Sequence, residues 1–142
     1  MSQADSIDVL NRLFEIEHRS LLAYLNDACL WTHTGEEKAT TALAHISADQ
    51  QAMTARIAEL IDSRGGRIDS GSFPMYFTDT NLLSLDFMLQ ELVKYQKRDI
   101  AAIERIVAAL AADREARDLA EEILGSERAH LEVLEDLAGQ PA

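Results

Sequence analysis

Apolar residues recur at spacings of three and four positions along most of the chain. This period matches the 3.6-residue turn of an α-helix and predicts amphipathic helices. No window alternates between apolar and polar residues for long enough to predict a strand. We therefore predict an all-α fold with four helices, which cover about residues 6–33, 34–65, 80–111 and 113–138.

Capping residues stand where three of these helix ends are predicted. Thr34 and Glu37 have the spacing of a capping box at the start of the second helix. Gly65 and Gly66 follow its last apolar residue, where a left-handed cap is common. Asp113 is a suitable N-cap for the fourth helix.

The lengths of the connections predict the topology. Short joins between helices one and two, and between three and four, make each pair antiparallel neighbours. The join between helices two and three is about fifteen residues, which is long enough to run from one end of a bundle to the other. The prediction is two helical hairpins joined by a long crossover, with an ordinary up-down bundle as the alternative.

Composition narrows the class of protein. A chain of 142 residues with 47% hydrophobic residues fits one folded domain over residues 1–142. The 25 acidic against 13 basic residues give a formal net charge of −12, which disfavours nucleic acid and anionic membranes and favours cations. The single cysteine, Cys29, indicates a reducing compartment, and the N-terminus lacks a signal-peptide pattern, so we expect a cytoplasmic protein.

Near its centre, each predicted apolar stripe contains residues that are unusual in a purely aliphatic core. The six positions are Glu17 on the first helix, Gln50 and Met53 on the second, Gln96 on the third, and Glu127 and His130 on the fourth. Because residues three and four apart share a helix face, all six are predicted to point inward near the middle of the bundle.

Two buried carboxylates need partners, because an unpaired buried charge costs several kcal/mol. A divalent metal ion would neutralise Glu17 and Glu127, with His130 as a nitrogen ligand. Alternatively, protonated His130, the two glutamine amides and Tyr24 would form a network without metal. The Glu127-x-x-His130 spacing puts a carboxylate and an imidazole on one face, as metal sites in bundles require. A second such pair, Glu15 and His18, lies beside the stripe and is predicted to be exposed.

These residues carry a resemblance to a known family. The segment 11–17, NRLFEIE, followed by Tyr24, resembles the first helix of bacterioferritin and of the wider ferritin-like di-iron family, which includes rubrerythrin. The segment 122–130, EILGSERAH, resembles its fourth helix, with a bridging Glu and a terminal His. The resemblance implies a ferritin-like four-helix bundle with iron as the natural cofactor.

The sequence departs from the family pattern at three of six ligand positions. That pattern has a Glu on helices one and three and a Glu-x-x-His on helices two and four. Here Gln50, Met53 and Gln96 occupy ligand positions, so that four glutamates are reduced to two. The resemblance therefore implies a degenerate site with one divalent ion (iron, manganese or zinc) held by Glu17, Glu127 and His130, with a glutamine oxygen as a further donor. The sequence does not establish an enzyme.

Two further positions have counterparts in the family. His45 and Asp49 resemble an accessory iron site, although an ordinary exposed pair is the preferred interpretation. Asp49 is also a candidate to turn inward beside Gln50, and an active di-iron oxidase that uses it is the least favoured interpretation. Gln51 occupies the position of the haem-ligand methionine, so no haem is predicted.

A metal-free structural or interaction protein that kept the fold is the principal rival to metal binding.

Assembly is predicted from the end of the chain and from the resemblance. Because the chain ends at Ala142, without a fifth helix, we do not expect a closed cage. The family resemblance implies a homodimer through the outer faces of helices one and two.

Overall fold

The computed structural model describes residues 2–27, 37–69, 71 and 85–139, and over these ranges the chain is almost entirely helical. The helices are α1 Gln3–His18, α2 Leu21–Asp27, α3 Glu37–Ser63, α4 Leu85–Ala109 and α5 Arg114–Gly139. The described residues contain no strand, which confirms the all-α prediction. None of these helices combines the length and apolar character needed to cross a membrane. The predicted start of a helix at Thr34, and Cys29, lie outside the described ranges.

The first predicted helix is not continuous, so that prediction was wrong. α1 ends at His18, and Arg19 leaves helical geometry with its N–H donating to the Glu15 carbonyl. The Ser20 hydroxyl then accepts a hydrogen bond of 3.1 Å from the Ala23 N–H and so starts α2. Serine favours this capping role over a helix interior because its hydroxyl can replace a backbone acceptor.

The predicted caps at the other end of the bundle are confirmed. Gly65 has a φ of +73°, and its N–H donates to the Asp62 carbonyl at 2.9 Å. The Gly66 N–H donates to the Ile61 carbonyl at 3.0 Å, which completes a Schellman motif. Asp113 accepts a hydrogen bond from the Ala116 N–H at 3.3 Å and caps α5.

Contacts between side chains show that α1 and α3 are antiparallel. Gln3, at the start of α1, donates to the carbonyl of Arg64, just beyond the end of α3. Asn11 reaches the carbonyl of Arg67 at 2.9 Å. The first hairpin therefore joins α1 and α2 to α3.

The second hairpin and the crossover follow from the ion pairs of α5. Glu104 of α4 pairs with Arg128, and Lys97 pairs with Glu135, so α4 and α5 are antiparallel. Arg56 of α3 pairs with Glu122, and Arg64, just beyond the end of α3, pairs with Glu115, so α3 and α5 are antiparallel as well. Since α3 and α4 both oppose α5, they run in the same direction. The end of α3 and the start of α4 therefore lie at opposite ends of the bundle, and the alternative of an up-down bundle is wrong.

Two apolar clusters fill the core between the helices. The first cluster includes Leu10, Phe14, Met53, Ile100, Ile103, Leu110 and Ile123. The second includes Leu21, Leu89, Leu92, Leu134 and Leu137, with Tyr24 half-buried against it. Along each of α3, α4 and α5, the predicted polar residues lie between members of the two clusters. A polar layer therefore separates the two halves of the core.

Candidate metal centre

The polar layer is built from the residues that the stripes predicted. Glu17, Gln50, Gln96, Glu127 and His130 are all buried, and the two glutamates are only 1% exposed. Glu17 lies in the last turn of α1, the glutamines lie on α3 and α4, and Glu127 and His130 lie one turn apart on α5. The prediction that these side chains point inward is confirmed. Met53, the sixth position, packs in the first apolar cluster.

Glu127 is the centre of the hydrogen-bond network. The Gln50 amide donates to its Oε2 at 3.0 Å, and the Gln96 amide donates to its Oε1 at 3.2 Å and to its main-chain carbonyl at 2.9 Å. The Nδ1 of His130 contacts its Oε1. Burial raises the pKa of Glu127, but the hydrogen bonds from His130, Glu17 and Gln96 outweigh burial and lower it below its ordinary value. Glu127 is therefore ionised at neutral pH.

His130 connects the buried Glu127 to the surface. Its Nε2 lies 2.9 Å from Oδ2 of Asp49, whose side chain is 60% exposed. Burial lowers the pKa of His130, but its contacts with Glu127 and Asp49 raise the pKa above its ordinary value. Asp49 therefore turns toward the buried layer, which was one of its two predicted orientations, rather than forming only an exposed pair with His45, which is itself exposed.

Glu17 is the unsatisfied member of the layer. Neither of its carboxylate oxygens receives a hydrogen bond from an N–H or hydroxyl group of the described residues. Burial raises its pKa well above the ordinary value, and the charge of Glu127, a shared hydrogen bond with that carboxylate and the charge of Asp99 raise it further. These effects favour the neutral form of Glu17 over the carboxylate.

Asp99 is a residue of this region that was not predicted from the sequence. Burial, followed by repulsion from Glu127, raises its pKa to about 7, against the opposing effect of Arg98. A small cavity of about 10 Å³, lined in part by Ser20, Gln50, Gln96 and Asp99, adjoins it. The signal in the sequence was its position three residues after Gln96, which places it on the same face of α4.

The donor groups are not gathered around one point. Among the described residues, no group of three or more His, Cys, Asp or Glu side chains is arranged to hold a metal ion.

Gln51, at the haem-ligand position, is exposed on α3. Glu15 is exposed as predicted, whereas His18 is only partly exposed, with its ring centroid 5.2 Å from that of Phe14. The predicted homodimer stays a prediction.

A comparison with known proteins identifies the family. The sequence profile of the ferritin-like domain matches residues 7–141, which is nearly the whole chain. No curated protein and no solved structure gives a match. Together with the two hairpins and the long crossover, the profile match shows that this chain belongs to the ferritin-like family.

Proposed function

We propose that this ferritin-like protein binds one divalent cation (iron, manganese or zinc) per chain through Glu17, Glu127 and His130. The observation that carries the proposal is the state of Glu17. Its two oxygens are buried without a donor, beside a second buried carboxylate. A carboxylate in this setting costs several kcal/mol unless a cation neutralises it.

By their charge and chemistry the donors suit one ion better than two, and binding requires the side chains of Glu17, Glu127 and His130 to turn toward a common point. Two glutamates balance the charge of one divalent cation, and the set of carboxylate and imidazole ligands suits iron, manganese and zinc. Asp49 engages the Nε2 of His130 and Glu127 engages its Nδ1, so Nδ1, which faces the buried glutamates, would be the ligand nitrogen. A carboxylate that holds the other nitrogen of a ligand histidine fixes the direction of the ring.

The glutamines position Glu127 and do not replace the lost ligands. The Gln50 Oε1 accepts a hydrogen bond of 3.1 Å from the Ser20 hydroxyl, so the amide nitrogen faces Glu127. Gln96 also directs its amide nitrogen to Glu127. The geometry therefore does not support a glutamine oxygen as a further donor. A bound iron or manganese ion would supply redox chemistry, and a zinc ion Lewis-acid chemistry.

Metal content measured by equilibrium dialysis tests the proposal. After loading with iron under anaerobic conditions, manganese or zinc, the wild-type protein should retain about one ion per chain for at least one of the metals. Glu17→Gln keeps the size of the side chain and removes its charge, so this variant should retain little metal. Glu132→Gln, on an exposed position of α5, is the matched control and should behave like the wild type.

Three results would contradict the proposal. They are the absence of metal in the wild type, two ions per chain, or equal retention by Glu17→Gln. The second result would support a di-iron centre that recruits Asp49.

A metal-free structural protein is a second candidate, and the network around Glu127 favours it. Protonated His130, Gln50 and Gln96 satisfy this carboxylate without any metal. On this account, Glu17→Gln combined with Glu127→Gln is tolerated or raises the melting temperature, and added metal ions do not stabilise the wild type. On the metal-binding account, the ions raise the melting temperature of the wild type and not that of the double variant.

A further inference from the structure

A cleft lies between the junction of α1 and α2 and the facing side of α3. It has a volume of about 120 Å³ and is only partly enclosed. Its wall includes Glu17, His18, Ala23, Ser47, Gln50 and Thr54. Gln51, which is exposed, lies at its outer side, and Glu17, which is buried, lies at its inner side. The cleft therefore joins the surface to the carboxyl group that lacks a hydrogen-bond donor.

The break in the first helix shapes this cleft. α1 stops at His18, and Ser20 starts α2 by accepting the Ala23 N–H. The same hydroxyl donates to Gln50, so one residue holds the junction to α3. The side chains of Ala23 and Ser47 are small, which leaves the space between the two elements unfilled.

We propose that this cleft is the route by which a divalent cation passes between solvent and Glu17. The inference rests on the proposed function. The volume is sufficient for an ion with part of its hydration shell, since a water molecule in the liquid takes about 30 Å³. His18 borders the cleft one residue before the break and offers an imidazole along the route. Arg19 also lines the cleft, and its positive charge slows the approach of a cation.

A larger side chain in the cleft should slow the binding and release of the cation without changing its Kd. Ser47→Leu narrows the passage but leaves every proposed ligand in place. A barrier on the route raises the free energy of passage equally in both directions, so the association and dissociation rate constants should fall by the same factor, about tenfold, at constant Kd. Ser63→Leu, on an exposed position of the same helix, is the matched control and should leave both rates unchanged.

The experiment is stopped-flow mixing of the full chain with Co²⁺, followed by its visible absorption, and release of Co²⁺ to a chelator. Ala23→Leu narrows the cleft from the opposite side and replaces Ser47→Leu if that variant does not fold. Arg19→Gln should increase the association rate, more strongly at low salt. Slower association of Co²⁺ with a leucine variant, together with faster association with Arg19→Gln, would support the route.

Each remaining outcome separates the route from the proposed function. If wild-type protein binds Co²⁺ and both leucine variants bind it at the wild-type rate, the route is overturned and the site stands. If either leucine variant changes Kd without changing the association rate, the cleft acts on the bound ion and the route is again overturned. If wild-type protein binds no Co²⁺, Fe²⁺, Mn²⁺ or Zn²⁺, the proposed function fails and the route fails with it.

Discussion

Two carboxylates at different levels of the bundle have opposite surroundings. At the end of α3, Asp113 accepts two hydrogen bonds from Arg64, and the Arg64 Nη2 to Asp113 Oδ1 distance is 2.9 Å. The Arg64 hydrogen bond lowers the pKa of Asp113 far below its ordinary value. In the polar layer, Glu17 has no such donor, and burial raises its pKa. The protein alone therefore supplies hydrogen-bond donors to Asp113, whereas it supplies none to Glu17 from the described residues.

The difference separates a structural ion pair from a candidate binding site. Asp113 also caps α5, so its charge serves the fold directly. Glu17 neither caps a helix nor pairs with a cation of the described residues, and it lies in the same layer as Glu127 and His130. A buried acid that remains costly in the folded protein is typical of a functional position.

The largest effect is expected at the structural pair. Asp113→Ala removes the cap of α5 and leaves the half-buried Arg64 without its main partner, so the free energy of unfolding should fall by about 2 kcal/mol. Urea denaturation of the metal-free protein measures the change. Asp118→Ala, on an exposed part of α5, is the control and should cost less than about 0.5 kcal/mol. Equal losses in the two variants would contradict a special role for the Arg64 pair.

Glu17→Gln should raise the free energy of unfolding of the metal-free protein, whereas Asp113→Ala lowers it. Because the folded-state pKa of Glu17 is raised, the folded protein keeps a proton that the unfolded chain releases above about pH 4.3, so stability is lost as the pH rises toward the folded-state pKa. Glutamine cannot ionise, so this variant should be more stable than the wild type by about 1 kcal/mol at pH 8.

Near pH 4, the two proteins should be about equally stable. Thermal unfolding in the presence of a chelator at both pH values measures the difference, with Glu15→Gln on the exposed face as the control. A loss of stability in Glu17→Gln at pH 8 would show that the ionised carboxylate has a partner in the metal-free protein.

The smallest effect is the acid dependence of Asp113. Its folded-state pKa is lowered, so the stability it contributes is present above about pH 3.9 and is lost as the pH falls toward the folded-state value. Asp113→Asn retains a capping side chain and should cost about 1 kcal/mol at pH 7. The cost should shrink in acid, whereas the effect of Glu17→Gln grows in alkali. If the changes in unfolding free energy caused by Asp113→Asn and Glu17→Gln varied with pH in the same way, the contrast between the two carboxylates would be contradicted.

The sequence predicted the parts of the molecule that depend on local periodicity. Apolar spacing located the helices and the buried layer, and Gly65 and Asp113 marked helix ends correctly. The break at Arg19 was missed because the apolar stripe continues from Glu17 to Leu21 through it. Only the choice of a serine at position 20 carried a signal, and serine also occurs within helices.

The parts of the site that the sequence left open, at Asp49, or missed, at Asp99, depend on how side chains turn. Asp49 is mostly exposed, and only the structure shows its carboxylate on Nε2 of His130. Asp99 is a polar residue beside Arg98, and its burial follows from how α4 packs beside Glu127. Periodicity fixes which face a residue occupies, but it does not fix the direction in which a surface side chain turns.

A crystal structure of the metal-loaded protein, with anomalous scattering recorded at the edge of the added metal, tests the central claim most directly. The account predicts one anomalous peak per chain, in contact with carboxylate oxygens of Glu17 and Glu127 and with Nδ1 of His130. The Nε2 of that ring should stay on Asp49. The absence of a peak at Glu17 after loading with iron, manganese and zinc, or a pair of peaks in the layer, would contradict it.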